Sequence, residues 1–228
     1  MIYAMADIHG RMDLFDKMLD KIRFSDSDKL YIIGDVIDRG PDGIALLRRI
    51  FKSKNMHLIM GNHEHMMFDA MTGDAPERTR WLRVWLENGG EPTYRSFQDL
   101  FRLSRRRLLD QIAMSPYYAD VMAGGKDYRL VHGSWHPGDA HACMWDAPSP
   151  YIPGPDPNGR VLIIGHTPSF LFRPDPAAYL GRCSGHMEIF RCDYFTAIDC
   201  GAGLPGHYSK RALACLRLDD GVEFYVDL

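Results

Sequence analysis

Residues 58–65 read LIMGNHEH: three apolar residues lead into Gly61, and an amide, two imidazoles and a carboxylate follow without a break. A short apolar run stopped by a glycine has the pattern of a buried strand and its end. Similar endings recur on both sides. YAMADIHG (3–10) and YIIGDVIDRG (31–40) precede it, and RLVHGSWH (129–136) and LIIGHTP (162–168) follow. Between the first three runs lie two helical patterns, RMDLFDKMLDKI (11–22) and DGIALLRRIF (42–51). The first half therefore alternates strand and helix as βαβ units do, which predicts an α/β fold with a largely parallel sheet.

Residues 63–115 are mostly helical in character. Beyond them YYADVMA, YRLVHG, VLIIGH, HMEIFR, FTAID, ALACLRL and VEFYVDL read as strands, several close enough in sequence to pair antiparallel. The stretches 135–159 and 168–185, rich in Pro and Gly, read as long loops, and loops of that length in a compact domain tend to carry function.

At 228 residues and 46% hydrophobic content the chain suits one domain, 1–228, with a sizeable core. Twenty-seven Lys and Arg against 30 Asp and Glu give a net charge of −3, without the basic excess of a nucleic-acid binder, so no nucleic-acid partner is expected. The run RLSRRR (102–107) is the local exception. With Leu103, Leu108, Leu109 and Ile112 around it, it reads as the solvated face of an amphipathic helix. The five cysteines are irregularly spaced and include no C-x-x-C pair, which suits free thiols in a reducing compartment. No run approaches membrane-spanning length and no basic leader precedes MIYAMA, so a cytoplasmic protein is expected, its oligomeric state left open.

The strand ends carry the chemistry. In open α/β sheets functional groups gather outside the carboxyl ends of the strands. Asp7, His9, Asp35, Asp38, Asn62, His63, His132 and His166 would then line one crevice. Singly, each reads as a turn, cap or core residue; one shared site accounts for all five strand ends at once. Oxygen and imidazole donors without a thiolate suit Mn first, with Fe, Zn or Mg as other ions. Six ligand groups exceed the needs of one tetrahedral ion with an open position and suit two ions sharing a carboxylate. Such a pair, roughly 3.5–4 Å apart, can activate a bridging water and stabilise both oxygens of an in-line displacement. With only two carboxylates among six ligands, the centre keeps surplus positive charge for an anion such as phosphate. Arg39 reads either as a bidentate grip on phosphoryl oxygens or as a surface ion pair.

Taken in order, DIHG (7–10), GDVIDRG (34–40), GNHE (61–64), LVHG (130–133) and GHTP (165–168) resemble the phosphoprotein phosphatase family of metallophosphoesterases. The resemblance is nearest to the compact bacterial and phage serine/threonine phosphatases, and AIDCGAG (197–203) is similar to the family's later Asp-Thr-Gly-Ala segment. It implies a four-layer α/β/β/α sandwich of two mixed sheets flanked by helices. It also implies a dinuclear-metal phosphomonoesterase that attacks phosphorylated protein, or another phosphoester, with a metal-bridging hydroxide. Asp7 and His9 would hold the first metal, Asp35 would bridge, and Asn62, His132 and His166 would hold the second. Arg39 would bind the substrate phosphate, and His63, oriented by Asp38, would be the general acid. Glu64 and His65 are left as supporting residues or bystanders.

The chain departs from the family pattern in three places. Ala6 stands where Gly is usual, HGSW replaces the commoner HAG, and Ala147 in MWDAP occupies the offset at which many bacterial members carry a second phosphate-binding arginine. Arg160, Arg173 and Arg182 are alternative sources of that arginine. Within the same family, diadenosine tetraphosphate and other nucleotide pyrophosphohydrolases use the same core, and Trp135, Tyr151, Phe170 and Tyr179 are the loop aromatics that could stack on a base. A non-catalytic scaffold is the alternative of another class. Its expected mark is an eroded ligand set, whereas all six proposed ligands, His63 and Arg39 are present.

Overall fold

Alternate residues of the first strand, β1 (Ile2–Ala6), face different cores. Tyr3 and Met5 join the apolar cluster beneath the helices, while Ala4 and Ala6 join the cluster between two sheets. The period of two puts one strand at the boundary of two layers. The computed structural model describes residues 1–149, 156 and 159–228.

The chain continues through α1 (Met12–Ile22), β2 (Lys29–Ile33), α2 (Gly43–Lys52) and β3 (Met56–Ile59), the expected βαβαβ run. β1 and β2 pair in parallel, as do β2 and β3. Four helices follow: α3 (Asn62–Thr72), α4 (Ala75–Glu87), α5 (Glu91–Gln98) and α6 (Arg102–Ala113). Then come β4 (Tyr118–Ala123), β5 (Lys126–Val131), α7 (Ala140–Trp145), β6 (Val161–Ile164), a 3-10 turn (Ser169–Phe172) and α8 (Pro176–Arg182). The last strands are β7 (Phe190–Arg191), β8 (Phe195–Ala197), β9 (Ala212–Arg217) and β10 (Glu223–Asp227). The sheet orders are β10-β9-β1-β2-β3 and β4-β5-β6-β8-β7.

Both sheets are mixed and flanked by helical elements, the expected α/β/β/α sandwich. Leu14, Phe15 and Met18 of α1 and Leu46, Leu47 and Ile50 of α2 pack on the outer face of the first sheet. Burying such a side chain contributes about 1.5–3 kcal/mol relative to leaving it in water. Cys143 of α7 and Phe172 pack with Val131, Leu162 and Ile164 on the far face of the second. Between the sheets lie small residues, Ala4, Ala6, Ala123, Ala212 and Ala214, which let the two layers approach closely. The methyl of Ala6 is absorbed there. β1–β9, β9–β10, β4–β5 and β7–β8 are the antiparallel pairs, whereas β5, β6 and β8 run parallel, so the second sheet has a parallel centre that the sequence pattern did not predict.

Three local expectations are corrected. The stretches read as long loops contain α7 and α8, each started by an aspartate cap: Asp139 accepts from Ala142 N–H and Asp175 from Ala178 N–H, both at 2.9 Å. HMEIFR forms strand only at its last two residues, because Met187 N–H goes to Lys210 O and those of Glu188 and Ile189 go to the hydroxyls of Tyr179 and Tyr225. α6 presents its arginines to solvent and buries Leu108 and Ile112, but Leu103 is 61% exposed and lies off the apolar face. Among the described residues no helix is long and apolar enough to cross a membrane, and all five cysteines are free thiols.

Candidate active site

Parallel pairing of β1, β2 and β3 brings Asp7, Asp35 and Asn62 to one rim, and parallel β5 and β6 bring His132 and His166 to meet them. The loops after β1 and β2 are zipped together, with His9 N–H donating to Asp35 O at 2.9 Å and Gly10 N–H to Val36 O at 2.7 Å. Seven non-glycine residues among those described have positive φ, and six of them are Asp7, His9, Asp35, Asp38, Arg39 and His166. Each such conformation costs about 1 kcal/mol or more, and its concentration here is the backbone signature of a functional rim. Gly34 (φ +69°) allows a close approach: a Cβ there would overlap His132 Nδ1 and sit 2.6 Å from Gly61 Cα.

Asp35 is the hub. Its Oδ2 lies 3.8 Å from both His9 Nε2 and His63 Nε2, while its Oδ1 lies 3.3 Å from His132 Nε2. Two donor groups result, His9–Asp35–His63 and Asp35–His132–His166, each with ligand atoms within 4.8 Å of one another and with Asp35 common to both. The imidazoles are oriented from behind, through their second nitrogens. His9 Nδ1 bonds Ile37 O and His132 Nδ1 bonds Ile33 O, both at 2.9 Å, and His166 is tied to the backbone of Trp145. A histidine that donates one N–H to a carbonyl presents the other nitrogen's lone pair to the site, the usual support of a metal ligand.

The Asn62 amide oxygen is 3.0 Å from His132 Nε2, 3.2 Å from His166 Nδ1 and 3.2 Å from each Asp35 oxygen. Lone-pair atoms that crowd one point need a cation among them or a turned amide that donates instead. The donor set thus fits divalent ions, with Asp35, Asn62, His132 and His166 around one position. Asp7 lies outside both groups, and both its oxygens accept the His166 N–H, at 3.1 and 3.0 Å.

The electrostatics of the cluster agree. Burial opposes the charge of Asp35, but His132, His63 and His9 outweigh it and hold the carboxyl well below its ordinary range. Burial likewise opposes a charged His132, yet Asp35 and Asp7 push it up to about 10. Burial, then the His132 charge, push His166 down to about 4. Burial and the neighbouring Asp199 push Asp7 up, and burial raises Asp199 to about 6. With only protons available, the cluster places one beside Asp35, where a metal ion would compete for the same lone pair.

Beside the hub sit the other three residues of interest. His63 Nδ1 is 2.6 Å from Asp38 Oδ2, both side chains being buried, so Nε2 faces the rim. Burial opposes charge on His63, and Asp35 and Asp38 outweigh it, raising its pKa. Exposed Arg39 reaches His63 Nε2 at 3.2 Å and Gly203 O at 3.4 Å; among the described residues it makes no ion pair, against the surface-pair reading.

Of the alternative arginines, Arg160 pairs with Asp120 and Asp156, and Arg173 donates to Ile189 O; Arg182 is exposed. None contacts the residues above. Trp135 and Phe170 are buried, Tyr179 accepts the Glu188 N–H, and Tyr151 lies outside the described residues. His65 packs edge-on against Trp81 and His141.

Sequence reasoning undervalued four residues. Glu64, fully buried, accepts from Asp35, Val36, Ile37 and Gly61 N–H groups, and its place three residues into a helix after a capping glycine was the available signal. Asp199 follows β8 as Asp7 follows β1, so the strand-end rule covers it. Trp85, donating to Asp38, and Thr93, accepting from it, come from the helical insertion and carry no such mark.

A profile of the calcineurin-like phosphoesterase family matches residues 1–170. A symmetrical bis(5'-nucleosyl)-tetraphosphatase of Acidovorax sp. is 32% identical over 134 residues, 58% of this chain and 43% of that protein. Serine/threonine-protein phosphatase 2 of Salmonella typhimurium is 31% identical over 141 residues, 61% of each chain. The chain thus spans less than half the length of the Acidovorax tetraphosphatase it matches. Among solved structures, a putative diadenosine tetraphosphatase superposes with TM-score 0.61 at 14% identity, covering 99% of this chain and 92% of the other. A protein serine/threonine phosphatase from Saccharomyces cerevisiae gives 0.53 at 14% identity, covering 100% and 79%. These two likenesses are of fold. Matched over most of its length by the family profile, and carrying a shared-carboxylate donor cluster at the strand ends, the chain belongs to the calcineurin-like phosphoesterase family.

Proposed function

We propose that residues 1–228 act as one domain, a phosphoric ester hydrolase working with two divalent ions and suited to phosphoserine or phosphothreonine monoesters. The observation that carries this reading is the division of the Asp35 oxygens between two histidine groups, with His63, Asp38 and Arg39 alongside. Asp7, His9 and Asp35 would hold one ion, and Asp35, Asn62, His132 and His166 the other. When bound, the ions supply an acidified water and positive charge for the phosphoryl oxygens.

The chain's own residues do the rest. Arg39 binds phosphoryl oxygens, its guanidinium being exposed at the rim beside the His63 imidazole and the Gly203 carbonyl. His63, held through Nδ1 by Asp38, carries a proton on Nε2 and gives it to the ester oxygen as the bond from that oxygen to phosphorus breaks, so an alcohol leaves instead of an alkoxide.

A second reading, hydrolysis of a dinucleoside tetraphosphate, is favoured by the similarity to bis(5'-nucleosyl)-tetraphosphatases. Burial of Trp135 and Phe170 weighs against those two residues as base platforms. The test is a panel of phosphoserine peptide, nitrophenyl phosphate and bis(5'-adenosyl) tetraphosphate, each with chelator and with added Mn, Fe, Zn or Mg. Metal-dependent turnover of the peptide is the expected result. Preference for the tetraphosphate would select the second reading, and inertness toward all three substrates with every ion would leave the scaffold.

A further inference from the structure

We infer that Trp85 is a positioning residue for the acid pair, holding the Asp38 carboxylate in the orientation that His63 needs. The inference rests on His63 as the general acid. Trp85 is fully buried on α4, and its indole Nε1–H donates to Asp38 Oδ2 at 2.8 Å, the same oxygen that His63 Nδ1 approaches at 2.6 Å. Asp38 Oδ1 is buried with no hydrogen-bond partner among the described residues. Rotation about the last side-chain bond of Asp38 would swing Oδ2 away from His63, and a second donor on that same oxygen, the Trp85 indole, resists it. An indole N–H is neutral and gives only one bond, so it orients the carboxylate without competing for its charge.

The same helical corner holds the backbone of Asp38 and Arg39, which stand at φ 72° and 65°. Thr93 Oγ1 accepts the Asp38 N–H and Gly89 O accepts the Arg39 N–H, both at 2.9 Å. Trp85 also packs edge-on against Tyr94 at 6.0 Å, which is ordinary core packing. Packing alone would not require Nε1 on a catalytic carboxylate. Gly90 completes the arrangement: a Cβ there would come within 2.6 Å of Trp85 Nε1 and Cδ1, although the Gly90 backbone (φ −72°, ψ −9°) accepts alanine.

Two variants separate orientation from packing. Trp85→Phe deletes the N–H and keeps an aromatic ring, and Gly90→Ala keeps the indole but displaces it. Both are assayed on a phosphoserine peptide, whose leaving group needs a proton, and on nitrophenyl phosphate, whose leaving group does not, with His63→Asn as reference and metal content and melting measured in parallel. Expected is a fall of roughly fivefold to fiftyfold in kcat on the peptide with less than about twofold on nitrophenyl phosphate and both ions retained. His63→Asn should show the same selectivity, larger. Equal losses on both substrates, or none, in the Trp85 and Gly90 variants while His63→Asn stays selective would overturn the role of Trp85 alone. A His63→Asn variant without selectivity would overturn the acid assignment beneath it.

Discussion

Glu64 lies directly behind Asp35: its carboxylate accepts the Asp35 backbone N–H at 2.9 Å, so the turn that presents the hub of the site is fastened by the third residue of the helix that follows the next strand. The same side chain takes Val36 N–H at 2.9 Å, Gly61 N–H at 3.1 Å and Ile37 N–H at 3.3 Å. Two strand-end loops are thereby joined through one buried anion.

Removing that anion leaves several buried N–H groups without acceptors, each costing about 1–3 kcal/mol. Glu64→Ala should lower stability by about 3 kcal/mol or more, a fall in Tm of about 6–12 °C for a chain of this size. Glu64→Gln, which keeps one acceptor oxygen, should lose less. Thermal melts of metal-free protein decide the matter; a Glu64→Ala melt within about 2 °C of wild type would mean that water replaces the carboxylate without loss.

The division of Asp35 between the two donor groups distinguishes it from every other ligand candidate. Asp35→Asn should reduce bound metal well below one ion per chain after dialysis, whereas His166→Ala, which touches one group only, should keep about one. Elemental analysis of the dialysed variants reads this directly. Equal metal loss in the two would contradict the shared role.

How much of this was legible before folding depends on where the information sits. β1, β2 and β3 and the helices between them follow local periodicity, and Asp7, Asp35, Asn62, His132 and His166 were legible because each ends an apolar run. That Asp7 turns its oxygens to the His166 N–H, outside both donor groups, could not be read, because it depends on how two sheets dock. Trp85 was illegible for the same reason. Its helix buries no other residue, and only the tertiary path of the insertion brings its N–H to Asp38. The parallel centre of the second sheet was hidden by short strands and by helices whose aspartate caps sit in stretches dominated by Pro and Gly.

Arg39 stands beside the donor groups without belonging to either, its guanidinium at 3.2 Å from His63 Nε2. Arg39→Ala should therefore leave metal content and Tm near wild type while lowering kcat/KM by about tenfold to a thousandfold, the range for losing a charge-assisted bond to phosphate where transition-state charge develops. Steady-state kinetics alongside elemental analysis test it. Loss of metal in this variant would return Arg39 to a structural role.

Gly203 is neither a ligand candidate nor the acid, yet it bears on one metal position. Gly203 closes over His9: a Cβ there would overlap His9 Cδ2 and lie 2.6 Å from Cγ and 2.9 Å from Nε2. The imidazole has little room to yield, being 2% exposed, tied through Nδ1 to Ile37 O and edge-on to His63 at 4.8 Å. Gly203→Ala should push His9 out of line with Asp35 while the Asp35–His132–His166 group stays as it is. Misplacing one ligand weakens a metal by about 10-fold to 100-fold in comparable sites. Calorimetric titration of metal-free protein should then show one binding step shifted by that amount and the other nearly unmoved. Two unshifted steps would mean that the 201–204 turn gives way instead of the histidine.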